Sequence, residues 1–318
     1  MARLRTYFIN FFLRKFMKRR YSACRTPSDV RKLFESGPSI VPKGVRFTKA
    51  TIGGISGEWV GFVGLAARGT LVYLHGGGYV CMSSRTHRAI TAAFALRGMR
   101  VFAADYRLAP EHKFPAAVDD ATAVWRALRA QVDGPIFIAG DSAGGGLSLA
   151  LMLNLRACGE RGPDAACLFS PWTDLACTGD SMRGNSNRDP LLNIESLHMQ
   201  ASAYASEVDL RTPLISPLYG DLARLPPMIA FVGDTEILLN DSTRVAERAR
   251  AAGVTVELRT YHDMPHVWPM LNVILPEGRK ALDEGAAFLF AARPSVPPTR
   301  PATATAPLGA TQLKPTTP

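Results

Sequence analysis

The chain lacks any apolar run approaching the roughly 18–20 residues of a membrane-spanning helix, so its sequence offers no such span. Cysteine is sparse: five residues, Cys24, Cys81, Cys158, Cys167 and Cys177, scattered over 318 and with no C-x-x-C pair. An odd, scattered set excludes a disulfide framework and a cysteine zinc site, and it points to a reducing, cytoplasmic setting. No internal repeat is present, which removes solenoids and propellers. Acidic residues are missing from positions 1–20, where Arg3, Arg5, Arg14, Lys15, Lys18, Arg19 and Arg20 stand. These seven account for most of the net charge of +10, and the remainder is near neutral. That distribution excludes a general nucleic-acid surface and leaves one local basic element.

What is present begins with enough apolar residue, 47% of the chain, to fill a large core. The length suits one large α/β domain or two small ones. Residues 1–20 read as an amphipathic helix, with Phe8, Ile9, Phe12, Leu13, Phe16 and Met17 on one face and Asn10, Arg14, Lys15 and Lys18 opposite. The apolar stretch is short, broken by Asn10, and followed by a basic cluster instead of a small-residue cleavage site, so a secretory leader is not expected. Two readings stay open: a helix packed on its own domain as part of a lid, or a peripheral contact with a membrane surface.

From Val45 to Leu65 an alternating, glycine-broken pattern predicts an antiparallel hairpin. Strand-like runs follow at Leu71–Leu74, Val101–Ala104, Ile136–Ala139, Ala166–Phe169, Met228–Val232 and Val254–Tyr261. Helical patterns separate most of them, at Thr86–Arg97, Ala116–Ala130, Leu147–Cys158 and Ser242–Ala252. Strand and helix in alternation predict an α/β fold: about eight strands, mostly parallel, covered by helices on both faces. The stretch 178–217 lacks a strand pattern and reads as a helical excursion. Its Met182, Leu191, Leu192, Leu197, Met199 and Tyr204 are expected to wall an apolar pocket. The Pro- and Thr-rich residues 293–318 have no core-forming pattern and are expected to be disordered.

The chemistry gathers in three loops. Between the run at Ile136–Ala139 and a helix-forming segment lies Gly140-Asp141-Ser142-Ala143-Gly144. A strand turning straight into a helix strains its corner residue and needs clearance beside it, which Gly140 and Gly144 supply; Ser142 then holds its hydroxyl in the open. The N–H of Ala143 falls in the first helical turn, where donors lack intrahelical partners. After Leu74 comes His75-Gly76-Gly77-Gly78, a glycine run able to aim N–H groups at a ligand oxygen. After Tyr261 comes His262-Asp263-Met264-Pro265-His266, offering His262 and His266 as bases for a serine. The loop after Val232 carries two carboxylates, Asp234 and Glu236, to orient an imidazole. Serine, acid and histidine in this chain order are expected of an α/β-hydrolase.

Taken together, these residues resemble the hormone-sensitive-lipase-like family of α/β-hydrolase carboxylesterases. The resemblance rests on His75-Gly76-Gly77-Gly78, on Tyr106-Arg107-Leu108-Ala109-Pro110-Glu111 with Phe114-Pro115-Ala116, and on Gly140-Asp141-Ser142-Ala143-Gly144-Gly145. Ser170-Pro171-Trp172-Thr173-Asp174-Leu175 and the Pro-His-Val setting of His266 complete it, over about Thr70 to Leu289. It implies Ser142 as nucleophile, His266 as base, and the N–H groups of Gly77, Gly78 and Ala143 as oxyanion donors, with His75, Gly76 and Asp141 as supporting motif positions. It implies a catalytic domain over 46–292, with a lid built from residues 1 to about 45 and the insertion at 178–217. One departure concerns the acid, usually Asp in the family. Leu238 stands two residues after Glu236, and Leu239-Asn240-Asp241-Ser242 continues the family's register, which favours Glu236 over Asp234. Asp234 would then be a turn residue capping N–H groups just after Gly233.

The implied activity is hydrolysis of short- to medium-chain acyl esters, or of lactones, through an acyl-enzyme, with no metal or organic cofactor. The partner is a small-molecule substrate, and the reading allows a homodimer. The rival is a non-catalytic small-molecule receptor on the same fold. Plant gibberellin receptors resemble this family but lack a working catalytic histidine, whereas here His266 is present.

Overall fold

The computed structural model describes residues 2–35 and 42–292, so the expectation for 293–318 lies outside the described residues. Helix α1 (Ala2–Phe12) runs into a π-helical stretch at Leu13–Lys18 and continues as α2 (Arg19–Ala23). Helix α3 (Pro27–Phe34) starts where Thr26 and Asp29 cap each other's backbone N–H groups and Pro27 takes the first helical position. The expected face of the first helix is turned. Ile9, Leu13 and Met17 are half-buried and Tyr21 is buried, but Phe8, Phe12 and Phe16 are exposed. The helix has apolar residues on two sides, and sequence period alone does not tell which side packs.

Strands β1 (Val45–Ile52) and β2 (Ile55–Phe62) form the antiparallel hairpin. Then β3 (Gly69–Leu74), α4 (Arg88–Leu96), β4 (Met99–Ala104), α5 (Ala116–Gln131), β5 (Ile136–Asp141), α6 (Ala143–Ala157) and β6 (Ala166–Phe169) alternate. After β6 come α7 (Ser181–Gly184) and α8 (Ile194–Ala205), then β7 (Met228–Gly233), α9 (Leu239–Ala251), β8 (Val256–Tyr261) and α10 (Pro276–Ala291). The eight strands make one sheet in the order β1-β2-β4-β3-β5-β6-β7-β8, parallel from β4 to β8. This is the mostly parallel, helix-covered α/β sheet expected from the alternation, and it agrees with the α/β-hydrolase fold that the resemblance implies. All five cysteines are free. No described helix is long and apolar enough to cross a membrane.

Strand side chains alternate between two cores. Leu71 and Tyr73 of β3 join Phe94 of α4 and Leu282 and Leu289 of α10; Val72 and Leu74 join Trp125 of α5, Leu151 of α6 and Val245 of α9. Both faces are therefore covered, and in such sheets functional sites form beyond the carboxyl ends of the strands.

Above those ends, the N-terminal rod and the excursion around α7 and α8 are sewn together. Arg14 Nη2 donates to the carbonyl of Arg188 at 2.8 Å, and Lys18 Nζ to those of Ser186 and Asp189 at 2.7 Å each. Asn193 Nδ2 donates to Ser22 Oγ at 3.1 Å, and Gln200 Nε2 to the Tyr21 hydroxyl at 2.8 Å.

Candidate active site

Strand β5 ends at Asp141, and the chain turns into α6 through Ser142 with φ +50° and ψ −122°. For a serine this is strained backbone, and its surroundings hold it there. The Ser142 N–H donates to the carbonyl of Phe169 at 2.9 Å, and its carbonyl accepts from Gly146 N and Trp172 N at 3.1 and 2.9 Å. A methyl group at Gly144 would fall 2.0 Å from the carbonyl oxygen of Leu74, so only glycine lets helix and strand approach this closely. The helix starts at Ala143 instead of the expected Leu147, because the glycines after the corner lie inside it.

Ser142 and His266 line one cavity of about 270 Å3, together with Gly77, Gly78, Leu191, Leu192 and Leu197. A hollow of about 450 Å3 lies over the hairpin around Trp59 and Arg100, but no serine, histidine or carboxylate lines it. Size does not select the site here; chemistry does.

Among the described residues, no acceptor takes the N–H of Gly77, Gly78 or Ala143. The glycine loop is held from behind by Asp141, whose Oδ1 accepts from Gly76 N at 3.2 Å and from the Tyr73 hydroxyl at 2.6 Å. Burial would raise the Asp141 carboxyl, but His87, 3.3 Å away, the Tyr73 hydrogen bond and His75 together outweigh it and the pKa is lowered. His87 is the mirror image: burial pulls it down, Asp141 overrides, and the net shift is upward. His75 stacks on Tyr106 at 4.3 Å and holds Nδ1 2.7 Å from the Gly76 carbonyl. Burial, then repulsion from His87, presses its pKa to about 3, so it stays neutral and cannot shuttle protons near pH 7.

On the other side, His266 Nδ1 lies 2.7 Å from Glu236 Oε2. The second oxygen of Glu236 accepts from Ser170 Oγ at 2.8 Å and from Gly233 N at 2.6 Å, and the residue is fully buried. Burial opposes a charge on His266, but the hydrogen bond and field of Glu236 outweigh it, and its pKa is raised.

Comparison with known proteins follows the same line. The sequence pattern of a family described by the α/β-hydrolase fold matches residues 71–270. An acetyl-hydrolase of Streptomyces hygroscopicus is 42% identical over 242 residues, covering 75% of this chain and 81% of that protein. A solved esterase of the bacterial hormone-sensitive lipase family is 39% identical, with a TM-score of 0.84 over 91% of this chain and 98% of that one. EstE5, in a crystal soaked with p-nitrophenyl butyrate, is 35% identical, with a TM-score of 0.86 over 90% of this chain and 97% of that one. The chain belongs to the α/β-hydrolase fold family, among its hormone-sensitive-lipase-type esterases. It is a carboxylic ester hydrolase.

In this esterase Asp234 lies apart from His266. Its Oδ2 is 2.8 Å from Nδ1 of the exposed His262, and its Oδ1 accepts from Asp263 N at 2.9 Å. The expectation that Asp234 caps N–H groups just after Gly233 is corrected: it reaches across to the loop after β8. The pocket wall is also narrower than expected. Leu191, Leu192 and Leu197 line the cavity, whereas Met182 and Tyr204 are in the core and Met199 packs against it. Helix α8 shows the cavity one face, Leu197 and Gln200, while Tyr204 stacks on Tyr79 at 4.0 Å.

Several residues at the site escaped sequence reasoning. Ser170 braces Glu236, and Asp189 Oδ2 accepts from Ile237 N at 2.9 Å, tying the excursion to the acid loop. Gln200 sets its side-chain oxygen so near Gly78 that an added methyl would lie 1.9 Å from it. The available signal for Gln200 is an amide set at helical spacing between the apolar Leu197 and Tyr204. Ser170, directly after β6, sat at a strand end where functional groups collect.

Proposed function

We propose that Ser142 is the nucleophile, His266 its base and Glu236 the acid that orients the imidazole. Ser142 Oγ attacks the ester carbonyl while His266 Nε2 takes its proton. The oxyanion accepts hydrogen bonds from Gly77, Gly78 and Ala143 N–H, and the alcohol departs with the proton from His266. Water then repeats the sequence on the acyl-enzyme and releases the acid. One observation carries this reading: a strained serine shares a cavity with a buried histidine whose far nitrogen is fixed by a buried carboxylate.

The substrates are esters of short to medium acyl chains, about two to eight carbons, because the cavity of about 270 Å3 falls just below the roughly 300–1,000 Å3 span of small-molecule sites. A four-carbon acyl ester soaked into the similar EstE5 crystal supports the same range. Turnover on an ester series of rising acyl length tests it. A steady rise in kcat/KM through hexadecanoate overturns the short-chain reading. Ser142→Ala is expected to lower kcat by about 10⁴–10⁶ and to abolish labelling by a serine-directed phosphonate, with the fold kept. Activity within about tenfold of the parent would refute the serine mechanism.

A further inference from the structure

The inner side of the N-terminal rod is accounted for: Leu13 and Tyr21 line the cavity, and Arg14 and Lys18 are turned onto carbonyls of the excursion. The outer side is not. Leu4, Tyr7, Phe8, Phe11, Phe12 and Phe16 are each 49–65% exposed, and their spacing of three and four residues sets them in one stripe along the helix, whose Tyr7 and Phe11 edge also lines a hollow against Tyr261 and His262. A stripe of five aromatics in water is costly for a monomer and marks a surface that something covers. Arg5, Lys15, Arg19 and Arg20 are exposed on the same rod, with Lys15 Nζ 5.8 Å above the Phe11 ring. No acid stands among residues 1–20.

Charge decides among occupants. A second copy stacked rod to rod would bring like charges together. A neutral apolar groove would strip water from four cations. An anionic lipid surface suits both parts, with rings at headgroup level and cations against phosphates. We propose that the outward face of α1 and its π-helical continuation docks on an anionic lipid surface. Leu13, on the opposite side of the rod, then sets the cavity beside that surface, so esters dissolved or displayed there are within reach.

The test is co-sedimentation of the full chain with vesicles of phosphatidylcholine alone or mixed equally with phosphatidylglycerol, at low and high salt. Binding is expected to the mixed vesicles at low salt and to fall at high salt, since exposed charge attraction is screened. The variant Phe8→Ser/Phe12→Ser/Phe16→Ser is expected to bind about tenfold or more weakly. The variant Lys15→Glu/Arg19→Glu is expected to lose about fivefold or more per cation. Both are expected to hydrolyse p-nitrophenyl acetate within about twofold of the parent, because none of these side chains lines the cavity. Absence of binding to mixed vesicles at low salt overturns the proposal, as does binding that neither variant weakens. A dimer that the triple variant splits, in a chain that ignores vesicles, would assign the stripe to a second copy. If the triple variant fails to fold, the charge variant decides alone.

Discussion

Two histidine–carboxylate pairs bridge the loops after β7 and β8, at 2.8 Å for His262–Asp234 and 2.7 Å for His266–Glu236. Bond length does not tell them apart, but water does. The side chains of the first pair are 71% and 27% exposed; those of the second are 7% and 0% exposed. An exposed pair contributes about 0–1 kcal/mol and is free to break. A buried carboxylate must have its oxygens satisfied, and Glu236 has three donors, in His266, Ser170 and Gly233. The outer pair shapes a turn, whereas the inner pair fixes the direction of an imidazole and raises its pKa.

Breaking each carboxylate should separate the two pairs most widely. Glu236→Gln is expected to lower kcat by about 10³–10⁴, because the amide can present the wrong group to His266 Nδ1. Asp234→Asn is expected to cost no more than about threefold, in line with an exposed pair. Equal losses in the two variants, both folded by circular dichroism, would collapse the distinction.

The pH profile sharpens it. His266 must be neutral to take the serine proton, so kcat/KM is expected to rise with pH through the His266 pKa. Glu236 holds that pKa above the ordinary imidazole value, so the acid limb should lie above about 6.5. In Glu236→Gln the attraction goes and burial remains, so the limb should move down. A limb that stays in place would mean another group titrates there.

A smaller effect than that of Glu236→Gln is expected at Ser170. Ser170→Ala leaves Glu236 Oε1 with only the Gly233 N–H, at an expected cost of about 1–3 kcal/mol in stability, read as a lower midpoint in urea. A kcat loss of roughly tenfold or less, with the acid limb shifted, would mark Ser170 as a positioning residue. A stability loss with an unmoved pH profile would make it purely structural.

Much of this could be read from residues in order, because short-range rules govern it. The parallel strands are apolar runs, the corner at Ser142 is a local clash solved by Gly144, and the ends of β7 and β8 follow from strand length. Register favours Glu236, and the structure sets it, not Asp234, against His266. Other features depend on contacts between distant positions. Ser170 and Glu236 are 66 residues apart, and Tyr21 and Gln200 are 179 apart. Helix α10 carried no expectation, since Gly278 and Gly285 interrupt its pattern; the methyl that Gly285 lacks would lie 2.7 Å from Cys167 Sγ. The turned face of α1 belongs here too, because two apolar sides compete and only the docked domain chooses.

The seam between the N-terminal rod and the excursion has a consequence for how such an enzyme diversifies. Arg14 and Lys18 grip the carbonyls of Arg188, Ser186 and Asp189, atoms that every amino acid carries. These three bonds therefore do not depend on side-chain identity at 186–189, unlike those of Asn193 to Ser22 and Gln200 to Tyr21. Leu191, Leu192 and Leu197, a few residues further on, line the cavity. A change of leucine size there alters the acyl pocket while leaving the carbonyls gripped by Arg14 and Lys18 in the chain.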